Sequence, residues 1–435
     1  MRTVSISALI VIVLALATPV AAKESSDLIK ANYYFEHYAY HEAIPYYTKL
    51  AEDKPTAEIY GRLADCYRLT GEGSVAMENY GKAVRMKGCK PSLKLKYGQL
   101  LMQEKQYDSA RVWLQEYKLT YLLDKRAESL IAACDSAPRM LQQKPTGEVT
   151  LMDFNTDGSE YAPVIWKDRL VFSADTAINL KKKTSKWSGR AYYNMYSVTC
   201  DDNGNCGTDW SMVGQKKNIN IKYHDGPATF TANGDSMYFT RTRYLDKGII
   251  KNSVTNEDGT VLLEVMVASD YDGGSRQFKK ISPFQFNNSS YSVAHPSISP
   301  SGSTLVFASA MHRGAGGTDL YICHRTIKGT WSKPENLGNV VNTEGEELFP
   351  CMADDSTLFF SSDGHVGLGG LDIYVTHYDR ELKAFTPPEN LGIPVNSTYD
   401  DMSLSLFADG RSTYISSNRP AEKGGDNIYY YKKNP

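Results

Sequence analysis

The chain has 435 residues, with 48 Lys+Arg against 50 Asp+Glu, 41% hydrophobic and 23% charged residues. At roughly 100 to 200 residues per domain this length permits two or three packed domains, and the composition excludes wholesale disorder. A formal net charge of −2 without a long Lys/Arg block excludes the concentrated basic surface of a nucleic-acid binder.

Residues 1–22 read as a secretory signal. Arg2 supplies the positive start, Ile6 to Ala17 the apolar segment, and Val20-Ala21-Ala22 a small-residue site before Lys23. The apolar run falls short of the ~20 residues a spanning helix needs, so cleavage after Ala22 is expected. No later stretch is long and apolar enough to span a membrane, and no Cys near the cleavage site suggests a lipid anchor. An oxidising compartment allows disulfides among the seven cysteines. Cys200 and Cys206 flank Asp-Asp-Asn-Gly-Asn, a turn sequence across which the thiols can pair or stay free; the other five read as small core residues.

From Asp27 to about Ala137 apolar and small residues recur at helical spacing. Ala43, Ala76 and Ala110 follow one another at intervals of 33 and 34, and Ala31, Ala64 and Gly98 each precede them by twelve residues. Two helices per repeat are implied, brought close by the small residues. Tyr34, Tyr67 and Leu101, then Tyr47, Tyr80 and Leu114, fill the contacts. This pattern resembles three tetratricopeptide (TPR) repeats over residues 23–140, with a capping helix at about Leu123 to Ser136. The resemblance implies a concave groove in which Asn32, Asp65 and Gln99, with Phe35, Arg68 and Met102 nearby, hold a peptide segment of a partner; bracing of the next domain is the alternative.

Beyond the helices short alternating runs, Leu170 to Ser173, Ser236 to Thr240, Thr304 to Ser309, Thr357 to Ser361 and Ser412 to Ser416, read as strands between Gly, Asn, Asp and Pro turns. Gly316-Gly-Thr-Asp-Leu-Tyr recurs as Gly369-Gly-Leu-Asp-Ile-Tyr and Gly424-Gly-Asp-Asn-Ile-Tyr, and Pro-Glu-Asn-Leu-Gly occurs twice. Pro163, Ala228, Pro296, Pro350 and Leu404 open the first strand of each repeat, and eight residues before them stand Asn155, Asn220, Asn288, Asn342 and Asn396. The last repeat lacks a fourth strand, which Glu148 to Phe154 should supply. The expected fold is therefore multidomain α plus all-β: a TPR solenoid, then a five-bladed β-propeller over residues 146–435 closed by an N-terminal strand. Insertions at Asn179 to Arg190 and Leu245 to Gly259 lengthen the first two blades, the former carrying the basic Lys181-Lys-Lys-Thr-Ser-Lys-Trp run.

The repeat motifs resemble the WD40-like, TolB-type propeller repeat. The order signal, TPR, propeller is similar to the front part of PorE-type envelope proteins of Bacteroidota, although the chain lacks their C-terminal OmpA-like domain, so peptidoglycan binding does not carry over. The resemblance implies a non-catalytic scaffold in the periplasm or at the outer membrane, linked to type IX secretion or envelope organisation, with envelope or secretion-system proteins as partners.

The residues offer little enzyme signature: there is no G-x-S-x-G elbow, zinc-binding helix or P-loop, and the His residues, His224 and His295 among them, lack ligand spacing. No catalytic residue, cofactor or metal is expected. Asp319 and Asp372 should accept backbone N–H groups in the Gly-Gly turns or pair with an Arg such as Arg313, with Arg419 playing that part beside Asp426. Asn155, Asn220, Asn288, Asn342 and Asn396 should cap their own turns. Glu160, Asp225, Glu347 and Asp401, three residues before the inner strand, should surround the mouth of the central channel, where clustered acids attract a basic segment or a cation. The adaptor reading joins groove and propeller face; its rival is an enzyme or glycan-binding module with its site in the central channel.

Overall fold

The computed structural model describes residues 25–176, 184–214, 218–247, 250–253 and 261–435. The expected signal at 1–22 lies outside the described residues, as do Lys181 to Lys183 of the basic insertion and much of the second insertion.

Seven helices come first: α1 (Ser26–Glu36), α2 (Tyr40–Asp53), α3 (Ala57–Leu69), α4 (Gly73–Val84), α5 (Ser92–Gln103), α6 (Tyr107–Lys118) and α7 (Lys125–Met140). Ser25, Thr56 and Asp124 cap α1, α3 and α7 by accepting backbone N–H groups that the first turn leaves unpaired. Consecutive helices pack as antiparallel neighbours around small side chains: Ala31, Ala43, Ala64, Ala76 and Ala110 are wholly buried. At Gly98 a Cβ would stand 2.8 Å from the Leu114 side chain, so only glycine lets α5 approach α6 this closely.

Five antiparallel sheets follow, forming a five-bladed β-propeller. From the inner strand outward, blade one is Glu160–Trp166, Arg169–Ala174, Asn194–Thr199 and Ser211–Met212. Blade two is Asp225–Phe230, Met237–Thr242, Leu263–Asp272 and Gln277–Pro283, with a small hairpin, Tyr244–Lys247 and Ile250–Ser253, after its second strand. Blade three is Val293–Ile298, Thr304–Ser309, Asp319–His324 and Glu335–Asn336. Blade four is Glu347–Met352, Thr357–Ser362 and Asp372–Asp379, whose outer edge takes Ala384–Phe385 and Glu389–Asn390. Blade five is Asp401–Leu406, Ser412–Ser417 and Asn427–Lys433, and its outer strand is Gly147–Leu151, which pairs antiparallel from Gly147 opposite Lys433 to Leu151 opposite Tyr429. Alternation of buried apolar residues gives each gap between blades its own core, such as Val306, Leu320, Leu358 and Phe360 between blades three and four.

Every inner strand carries a β-bulge at its N-terminal end. In blades one, three and four the residue before the inner-strand proline takes left-handed φ: 55° at Ala162, 49° at His295 and 48° at Phe349. Blade two meets the same need with Gly226 at φ 104°. A bulge re-aims the side chains beside it, and here those side chains meet at the axis. The inner strands are also tied directly to their neighbours: Ile165 N donates to Ser405 Oγ (3.0 Å), Ile298 N to Thr229 Oγ1 (3.3 Å) and Met352 N to Ser297 Oγ (2.9 Å).

The helices lie across one face of the propeller. Their core continues into it at Leu368, wholly buried among helical side chains, whose carbonyl accepts from Tyr107 Oη at 3.0 Å. Glu344 accepts from the first N–H of α7, Thr398 Oγ1 donates to the Gln103 carbonyl at 2.7 Å, and Tyr399 Oη donates to Glu104 at 2.9 Å. Trp187, in the blade-one insertion, stacks on Tyr38, meets Tyr40 edge-on, and donates its Nε1–H to the Leu69 carbonyl at 2.8 Å.

Candidate functional site

Between the helices and the channel mouth lies a cavity of about 1450 Å³. Its floor is built by the bulges. His295 stacks on Phe349 at 4.1 Å, Tyr161 meets Phe349 edge-on at 6.1 Å and Tyr193 at 5.0 Å, and His224 Nδ1 accepts from Tyr193 N at 3.1 Å. Burial lowers both His224 and His295 to about 4, so their imidazoles are neutral at pH 7. Burial likewise raises the Tyr161 and Tyr193 phenols, which stay protonated and can donate hydrogen bonds.

The wall at the seam of blades five and one holds carboxyl groups in contrasting surroundings. Asp175 is clamped by Arg190, whose Nε stands 2.6 Å from Oδ2 and Nη2 3.0 Å from Oδ1, and it accepts the Ser159 N–H at 3.0 Å. Asp426, on the turn before Asn427–Lys433, is raised to about 7, first by burial and then by the charges of Asp400 and Asp175. Asp400 stands behind, raised by its own burial and held by Leu371 N and by Asn418 on both backbone and side chain. One carboxyl therefore keeps its proton close to neutrality beside another paired with a guanidinium, the contrast that separates an acid from a base in one pocket. Among the described residues no group of three or more His, Cys, Asp or Glu could hold a metal ion.

The structure places the sequence-selected residues as follows. Glu160, Asp225, Glu347 and Asp401 are wholly buried at the starts of their inner strands, so the expected solvent-facing acidic mouth is corrected: they are internal locks. Glu160 accepts Thr156 N (2.9 Å), Glu347 accepts Thr343 N (2.8 Å) and Ser362 Oγ (2.7 Å), Asp225 accepts Ile221 N (2.9 Å) and Arg241 Nε (2.7 Å), and Asp401 accepts Ser397 N and the Arg419 guanidinium. Arg419 thus pairs with Asp401, not Asp426. Asp319 does accept turn amides, Ala315 N at 2.6 Å and Gly316 N at 3.2 Å, and Asp372 accepts Leu368 N at 2.5 Å.

The asparagines do more than cap turns. Asn155, Asn220, Asn342 and Asn396 each accept the N–H and donate to the C=O of one third-strand residue: Ile428, Met195, Leu320 and Ile373. In the third repeat Asn287, one position earlier, makes this pair of bonds with Val265, whereas Asn288 caps its own turn, its Oδ1 accepting Ser290 N at 2.8 Å.

On the helices Asn32 accepts Tyr47 Oη and Arg62, Asp65 accepts Tyr80 Oη and Lys96, and Met102 is wholly buried. Phe35 packs edge-on against Tyr40 and Tyr47, and Gln99 is half-buried. Of the six groove residues Arg68 is the one that lines the cavity, its charge felt by Asp400. Cys200 and Cys206 are disulfide-bonded. The sequence reading missed the floor and the Asp175–Asp426 wall; the position before each inner-strand proline was the available signal for the floor.

No family model matches this chain, nor does any curated protein, so nothing beyond the propeller supports the resemblance to PorE-type envelope proteins. Solved structures to which it is similar include the RS223 β-xylosidase (12% identity, TM-score 0.40, covering 66% of this chain and 94% of that one). An α-L-arabinofuranosidase from Lactobacillus brevis is another (11%, 0.36, 65% and 90%), as is a protein of unknown function from Dyadobacter fermentans DSM 18053 (11%, 0.37, 67% and 99%). At these identities and TM-scores the likeness bears on the fold alone; the expectation of a non-catalytic adaptor, and with it that of no enzyme, is not kept, and the rival reading is taken up below on the cavity's own carboxyl groups. The residue roles come from the cavity alone.

Proposed function

We propose that this chain is a propeller glycosidase whose site is the cavity at the mouth of the central channel. The observation that carries the reading is the carboxyl pair on the cavity wall: Asp426, raised to about 7, beside Asp175 clamped by Arg190. Glycoside hydrolysis needs such a pair. Asp426 gives its proton to the glycosidic oxygen as that bond breaks, and water adds to the anomeric carbon while losing a proton to the Asp175 carboxylate. The floor of Tyr161, Tyr193, His224 and His295 suits a sugar, offering flat apolar faces together with neutral donors and acceptors. A TPR-like identity for the helices, closure of the propeller through Gly147–Leu151, and an exported location, to which the Cys200–Cys206 disulfide is suited, go with this reading.

The names of the neighbours supply a starting panel of xylo- and arabino-oligosaccharides. Release of reducing sugar is the measurement. Asp426→Asn and Asp175→Asn should each lower kcat/KM by about 100-fold or more, since general acid or base catalysis contributes 10²–10⁴. Activity should fall as pH rises through about 7, where Asp426 loses its proton. Hydrolysis that both variants retain in full would overturn the reading.

A further inference from the structure

Two cations in the cavity wall take no part in the proposed hydrolysis. Arg68, on the last turn of α3, and Lys186, in the blade-one insertion, are both exposed and both line the cavity. The Trp187–Leu69 bond draws their backbones together, since Trp187 follows Lys186 and Leu69 follows Arg68. Arg68 is held from behind by a chain of polar contacts: its Nε donates to Tyr80 Oη (3.3 Å), Tyr80 Oη donates to the buried Asp65 (2.5 Å), and Lys96 donates to the same carboxylate (2.5 Å). That chain uses Nε alone. Among the described residues Nη1 and Nη2 of Arg68 have no partner, and neither has the Lys186 ammonium. The charge of Asp400 reaches Arg68, but the two make no ion pair; Asp400 Oδ1 accepts Leu371 N and Oδ2 accepts the Asn418 amide.

We infer that Arg68 and Lys186 form an anion subsite, and that the glycan taken into the cavity carries an acidic group, a uronate carboxylate or a sulfate ester. The inference rests on the glycosidase reading and names the substrate class of that site. A guanidinium anchored through Nε presents its two terminal nitrogens as a fork that matches two oxygens of one anion, and an ammonium beside it adds a point charge. Among the described residues six Lys and Arg line the cavity against four Asp and Glu, so the field there favours an anion. The helices thereby supply part of the site, because without α3 the propeller offers Lys186 alone.

The test compares matched substrates on the full chain: xylo-oligosaccharides with and without a glucuronic acid branch, and an oligosaccharide with and without a sulfate ester. Reducing-sugar release and calorimetric binding are both read. The ratio of kcat/KM for the acidic over the neutral member should be about 10 or more, the worth of one charged hydrogen bond, and should shrink with added salt. Arg68→Gln should lower that ratio by about 10-fold, and Arg68→Lys, which keeps the charge without the fork, by less. Lys186→Gln, at an exposed side chain with no partner to lose, reads the same ratio without risk to the fold. A preference within the uronate pair alone or the sulfate pair alone identifies the group that the subsite takes. Equal turnover of acidic and neutral members, or an acidic preference that neither Gln variant moves, would overturn the anion subsite and leave the glycosidase reading standing. Binding of an acidic member that weakens in Arg68→Gln, with no hydrolysis of any substrate, would overturn the glycosidase reading and keep the subsite. Neither binding nor hydrolysis would overturn both.

Discussion

At the scale of single residues, side chains are used twice over as pieces of backbone. Asn342 presents an amide to Leu320 just as a neighbouring strand would, accepting at 2.8 Å and donating at 3.1 Å, and it also donates to Asn336. Removing it leaves a buried N–H and C=O without partners, at about 1–3 kcal/mol each. Asn342→Ala should therefore lower unfolding stability by about 2 kcal/mol or more. Asn288→Ala, at the position that spacing alone selects, should cost far less; equal denaturant midpoints for the two variants would contradict this. Asp426 gives a pH prediction with a definite sign. Its folded value of about 7 lies above the ordinary 3.8, so between these pH values the folded chain holds a proton that the unfolded chain has released, and stability falls as pH rises through that window. Asp426→Asn should flatten this slope in thermal unfolding scans. A remainder should persist because burial also raises Glu347 to about 7.

At the scale of elements, four of the five inner strands are fixed by an acid at their start, blade three starting instead at Val293, and the acid's partner differs from blade to blade. Asp225 meets the guanidinium of Arg241, itself only 5% exposed, whereas Glu160 and Glu347 use hydroxyls and backbone amides. Arg241→Met leaves the Asp225 carboxyl buried without its cation, a loss of about 3–5 kcal/mol at neutral pH. The double variant with Asp225→Asn should recover part of that stability, and a double variant no better than the single would refute the pairing as the cause. These locks also account for what was legible in the sequence. Strands such as Thr304–Ser309 and turns such as the one around Asp319 are local patterns, and both stand where alternation and Gly-Gly placed them. The acids recur just as regularly, but recurrence says nothing of burial, which depends on the neighbouring blade. Asn287 was missed because two asparagines stand side by side and spacing measured to Pro296 selects the wrong one.

At the scale of the molecule, the candidate site lies where the seven helices meet the propeller, and no periodicity within either part encodes that meeting. Several well-separated contacts hold the helices over the propeller, and Trp187, from the blade-one insertion, supplies one of them. Its ring is half-exposed yet lies on Tyr38 and Tyr40, its Nε1–H reaches the Leu69 carbonyl, and its own carbonyl accepts the His41 N–H at 3.1 Å. The last of these bonds is made by backbone and survives truncation of the side chain, whereas the aromatic contacts and the indole bond do not. Trp187→Ala should therefore cost about 1–2 kcal/mol, less than a fully buried Trp, because half the ring is already in water. Denaturant unfolding checks this, and Trp187→Phe, which keeps an aromatic ring but loses the indole bond to Leu69, should fall between the wild type and Trp187→Ala. A midpoint unchanged in Trp187→Ala would mean that the ring takes no part in holding the helices to the propeller.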